Sequence, residues 1–157
     1  MTSHARLPPP LPHAHPFRLI DRQCGAEGDE APPRAITCLS ASATLARRGA
    51  DGFPPYVALE LLAQGALVLL RAEMAAADDG AGEGPLDDGA ARPPALAGFD
   101  RVQLADALAH TPLRPGDRLV VSLRGAVRRL GPLRRVHAVL QRADADDVLI
   151  EGHLLLA

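Results

Sequence analysis

The sequence predicts an α+β fold in which an antiparallel sheet wraps around one long central helix, and three observations predict it. The first is the run YVALELLAQGALVLLRAEMAAA at 56–77, made of good helix formers and apolar around nearly its whole circumference. The second is a pair of short alternating segments ahead of it, at 17–24 and 34–45. The third is a set of three alternating segments behind it, RLVVSLRGAVRRL, LRRVHAVLQRA and VLIEGHLLLA, separated only by the turn sequences GP and DADD. Period-two alternation broken by tight turns is the mark of an antiparallel meander. A lone helix that is apolar all round has to bury every side, and a curled sheet is the way to do it.

Each element follows in order. Residues 1–16 are proline-rich and form an extended arm. FRLIDRQC is a first strand, GAEGDEAPP a loop, and RAITCLSASATL a second strand whose apolar positions, Ile36 and then Cys38 or Leu39, are expected to face the core. ARRGADGFPP turns the chain into the helix, where Pro54 and Pro55 suit a first turn that has no use for their missing N–H. Inside the helix Gly65 costs up to about 1 kcal/mol relative to alanine, which points to a neighbour packed close against it. DDGAGEGPLDDGAARPP, at 78–94, is an acidic, glycine-rich flexible loop. ALAGFDRVQL is a further strand, and TPLRPGD carries a Pro-Gly pair that suits a type II turn.

Composition narrows the function classes. A chain of 157 residues with 47% hydrophobic content is expected to form one domain over 1–157 with a real core, and with 3% aromatics that core is aliphatic. A net charge of -2 argues against a nucleic-acid face or a polybasic membrane patch. The apolar run is interrupted by Glu60 and Gln64 and is too short to cross a bilayer, which takes about 20 apolar residues. No charged-then-apolar leader pattern opens the chain, so a cytoplasmic protein with no membrane insertion is expected. Cys24 and Cys38 are too few for a metal cluster and are expected to be buried, reduced thiols; no metal and no cofactor is implied.

Three stretches, in order, resemble the 3-hydroxyacyl-acyl-carrier-protein dehydratases of the FabZ/FabA group. LPHAHPFRLIDR is similar to that family's opening segment, VALELLAQ to the start of its central helix, and LRPGDRLVV to the turn before its long strands. DGFPPYVALELLAQ is closest to the ApeP-like branch associated with aryl polyene pathways. The resemblance implies the hotdog fold and dehydration of 3-hydroxyacyl thioesters on an acyl-carrier protein, in fatty acid, polyketide or aryl polyene type synthesis. It also implies a homodimer, or a heterodimer with a second hotdog subunit, that places an acyl tunnel at the interface. One departure stands out. The family's Gly-His-Phe-Pro-Gly motif supplies a catalytic histidine just before the helix, and this chain reads DGFPPY there.

Dehydration needs a base at C2, an acid for the leaving hydroxyl and donors on the thioester oxygen. The resemblance makes Glu60 the acid/base group, where the plain reading is a structural acid capping the first turn of the helix. Gln64, one turn on, orients that acid or lines the tunnel by resemblance; the plain alternative is a hydrogen bond to a neighbouring strand. Phe53, Pro54, Tyr56 and Val57 at the helix start are the expected substrate contacts, with the helix-start N–H groups on the thioester oxygen. His13 is structural or takes the role of the missing histidine, and His15 is the weaker candidate. His110, His137 and His153 belong to strands. Arg128, Arg129, Arg134 and Arg135 dock an acidic carrier protein or simply solvate a strand edge. Two rival functions stay open: a hotdog subunit without activity of its own that completes an active partner, and an acyl thioesterase.

Overall fold

The computed structural model describes residues 19–24, 33–39, 52–78, 95–106, 108, 111–145 and 147–157. Strands β1 (Arg22–Cys24) and β2 (Arg34–Cys38) precede helix α1 (Pro55–Asp78), and β3 (Leu96–Leu104), β4 (Arg118–Leu130), β5 (Leu133–Arg142) and β6 (Val148–Leu156) follow it. The expected arm at 1–16, His4, His13, His15 and His110 lie outside the described residues, as does the expected 78–94 loop except for Asp78, which ends α1.

The helix starts on Pro55, and Val57 N–H donates to Pro54 O at 3.0 Å. From 61 to 70 every residue is buried, so α1 is surrounded and not merely laid on a surface. Gly65 sits where the sheet comes closest. A Cβ at that position would lie 2.6 Å from the Cβ of Val121 on β4, so the missing side chain is what lets helix and strand meet.

All strand pairs are antiparallel, in the order β1-β2-β4-β5-β6-β3. The meander β4-β5-β6 is as the alternation predicts. β3, in contrast, does not lie beside β4; it crosses to pair with β6 and becomes an edge. The Pro115–Gly116 turn is type II, with Gly116 at φ 94° and Asp117 N–H donating to Arg114 O at 3.1 Å. Asp117 then holds the turn in place, its Oδ2 accepting from Arg114 N–H at 2.9 Å and from the Arg142 guanidinium at 2.6 Å. One helix under a six-stranded antiparallel sheet fits the hotdog-like α+β architecture expected.

β2 corrects the sequence reading. Ala35 and Thr37 face inward, Ile36 is half-buried and Cys38 is exposed, the reverse of the expected alternation within the strand, while Leu39, the other expected core position, is buried just beyond its end. The reason is local crowding. α1 packs on β2, and the segment at 19–21 runs alongside it with Leu19 reaching toward the helix, so small side chains take the inner positions and Thr37 finds a carbonyl partner there in Leu19 O. The thiols are accordingly not the buried pair expected, since Cys24 is half-buried and Cys38 open.

Candidate functional site

The LIDR part of the opening segment ties the start of the chain to both helix and sheet. Leu19 and Ile20 are buried. Asp21 N–H donates to Ile36 O at 3.1 Å, while Asp21 Oδ2 accepts from Cys38 N–H at 2.6 Å and lies 3.2 Å from the Thr37 hydroxyl. These bonds clamp the segment along β2 and bring Leu19 N–H over α1.

There it meets Gln64, a fully buried polar side chain in the middle of the apolar helix. Gln64 Oε1 accepts from Leu19 N–H at 2.8 Å, and Gln64 Nε2 donates to Glu60 Oε1 at 2.6 Å. The chemistry settles the amide orientation, because reversing it would set oxygen against carboxylate and N–H against N–H. Gln64 thus combines the roles held apart in the sequence: it positions Glu60, and its other end is a backbone hydrogen bond. Burying this amide is affordable only because both ends are partnered.

Glu60 is the sixth residue of α1, and the first turn carries no acid, which sets aside the capping reading. Its side chain is half-buried and shares a helix face with Tyr56, one turn earlier and 55% exposed, beside the half-buried Leu59. An oriented, half-buried carboxylate therefore sits beside the exposed Tyr56 at the start of the helix, where it can take a proton from, or give one to, a molecule that reaches that end. The other expected contacts divide. Tyr56 lies on the Glu60 face, whereas Phe53 and Val57 are buried in the core at 3% and 0% exposure, Phe53 bridging to Leu113. Pro54 is half-buried, and Val57 N–H, one of the donors expected to meet a thioester oxygen, is engaged by Pro54 O.

Sequence reasoning missed two features. Asp21 and Thr37 act as anchors, a role for which the only available signal was the LIDR stretch itself. A polar group on the far side of the sheet also went unread. His137 and His153 are register partners with rings stacked at 4.6 Å between centroids, and His137 Nε2 is 2.7 Å from Glu151 Oε1.

Among solved structures the chain is similar to the dehydratase heterocomplex ApeI:P from Xenorhabdus doucetiae, with a TM-score of 0.62 at 16% sequence identity over 93% of this chain and 86% of that one. At that identity the likeness establishes the fold. No family model matches the chain, and no curated protein matches it in sequence.

Proposed function

We propose that this protein is a dehydratase subunit that converts 3-hydroxyacyl thioesters on an acyl-carrier protein into trans-2-enoyl thioesters. The observation that carries the reading is the half-buried carboxylate of Glu60, held near the start of the helix by a buried glutamine that is itself held by the opening segment. In the reaction a proton leaves C2, the 3-hydroxyl departs with a proton as water, and the C2–C3 double bond forms. Glu60 handles one of these protons. His13 is the partner proposed for the other. It precedes Leu19 by six residues in the sequence, and Leu19 N–H is bonded to the side chain that holds Glu60. The similar structure, a dehydratase heterocomplex, supports the same class of reaction.

A second reading is favoured by a specific observation. His137 and His153, the histidines among the described residues, lie in the sheet and outward of the buried Val136, Ala138 and Leu154, away from α1. If neither His13 nor another histidine outside the described residues serves Glu60, a partner subunit supplies the second group, as an assembly of two different chains would allow.

The test is enoyl-thioester formation from a 3-hydroxyacyl carrier protein by this protein alone and by Glu60→Gln. The proposal expects the variant to lose about 100-fold or more of the rate, the scale of general acid–base catalysis. A variant as active as the parent would sink it. An inactive but folded parent that gains activity with a second hotdog chain would select the half-site reading. Release of free thiol in place of enoyl product would identify a thioesterase.

A further inference from the structure

The face of the sheet turned away from α1 carries a concentration of positive charge that the fold alone does not explain. On β4, Arg124 is the register partner of His137 and Arg128 that of Arg135. Between Arg124 and Arg128 the register slips at a bulge containing Gly125, at φ 70°. A spacing of four already puts both arginines on one face, and the extra residues of the bulge set Arg128 opposite Arg135, only two residues from His137 on β5. Arg124, Arg128, Arg135, His137 and His153 line one cleft of about 290 Å³. Like charges directly opposite one another across two strands are destabilising, and here Arg128 faces Arg135.

The nearby acids do not neutralise the group. Asp100 on β3 is paired with Arg135 at 2.6 Å, and Glu151 on β6 with His137 at 2.7 Å. Neither Arg124 nor Arg128 has an acidic partner among the described residues, and both are exposed. Arg101 on β3, opposite His153, adds a further positive charge. β5 and β6, which supply Arg135, His137 and His153, are interior strands, whereas Arg124 and Arg128 lie on the part of β4 beyond Ser122, where its pairing with β2 ends.

We infer that this cleft is a binding site for a phosphate group, with Arg124, Arg128 and Arg135 as guanidinium donors and the His137–His153 pair as its floor. Guanidinium forks match the oxygens of a tetrahedral dianion, and several converging forks select a doubly charged group over a single carboxylate. The volume suits a phosphate with a small substituent and is too small for a long acyl chain. The site is on the opposite side of the sheet from Glu60 and stands independently of the dehydratase reading. The electrostatics agree with the geometry: desolvation first, and the Arg135 guanidinium next, hold the His153 imidazole below its ordinary pKa. A bound dianion would counter the arginines and raise it.

The imidazole C–H resonances of His137 and His153 report on the cleft directly. The full chain is titrated with inorganic phosphate and with glycerol 3-phosphate, against sodium chloride at matched ionic strength. Saturable shifts of both histidines are expected, with affinity about tenfold or more weaker in the Arg124→Gln/Arg128→Gln double variant, a change of exposed residues that leaves the core untouched. Tighter binding of glycerol 3-phosphate than of phosphate assigns the cleft to phosphate esters; equal binding assigns it to the free ion. Sulfate remains a dianion over the working range, so its affinity should rise as pH falls below the ordinary histidine range and the His153 imidazole takes up a proton. Shifts that chloride reproduces, shifts that do not saturate, or affinities unchanged in the double variant would overturn the inference. Binding of an acidic polypeptide without binding of either phosphate probe would overturn it too, in favour of a protein-docking patch.

Discussion

At the residue scale the molecule turns on Gln64. Its side chain is a polar bolt through an apolar helix, joining Leu19 N–H to the Glu60 carboxylate. Replacing it with leucine preserves the approximate shape but strands Leu19 N–H and removes the Nε2–H bond to Glu60. We expect Gln64→Leu to lower stability by about 1–3 kcal/mol in urea unfolding. In the carrier-protein assay kcat should fall more than KM rises, because the loss is in the placement of the carboxylate and not in substrate contact. A variant that loses stability yet keeps kcat and its pH profile would make Gln64 a structural residue only. Glu60 and Gln64 were legible in the sequence because polar residues stand out in an apolar helix. Thr37 and Asp21 were not, since short polar side chains are common in strands and their partners lie 16 to 18 residues away.

At the scale of elements the decisive contact is α1 against β4. Gly65 gives up helix propensity so that Val121 can approach, and the two should be coupled. Gly65→Ala gains about 1 kcal/mol in propensity and incurs an overpacking cost of about 1–3 kcal/mol, so a net loss of stability is expected. In a Val121→Ala background, with the obstructing methyls gone, the same glycine-to-alanine change should become neutral or stabilising. Additive effects in a double-mutant cycle would show that the close approach has no energetic consequence. The existence of the neighbour was foreseeable from a glycine amid strong helix formers; its identity was not. β2 shows the opposite case, where a correct period came with the wrong face. Alternation reports which residues lie together but not which side is inside, and the packing of α1 and the 19–21 segment reversed the hydropathic guess.

At the scale of the whole molecule, β3 is the exposed feature. Among the described residues it pairs only with β6, and Leu96, Phe99 and Leu104 on it are 37%, 40% and 48% exposed. An unpaired edge with apolar side chains is a template for a second chain. Under the proposed function that chain is a second hotdog subunit, the same or different. Sedimentation of the parent at micromolar concentration should show association, and Phe99→Lys with Leu104→Lys should abolish it while leaving the helix signal in circular dichroism intact. A parent that sediments as a monomer both alone and with candidate partner subunits would remove the reason for those apolar side chains.

By itself the sequence determined the element types, the burial of the central helix, the antiparallel meander and the position of one acid and one amide within that helix. These follow from periodicity and propensity, which act between near neighbours and are written along the chain. Only the tertiary structure decided that β3 crosses to the far edge, that β2 turns its small side chains inward, that Gln64 reaches back to Leu19, and that Arg124, Arg128 and Arg135 meet the two histidines in one cleft. Each of these is a pairing between distant segments, selected by which surfaces fit and which charges are brought face to face, and a one-dimensional pattern carries no record of that choice.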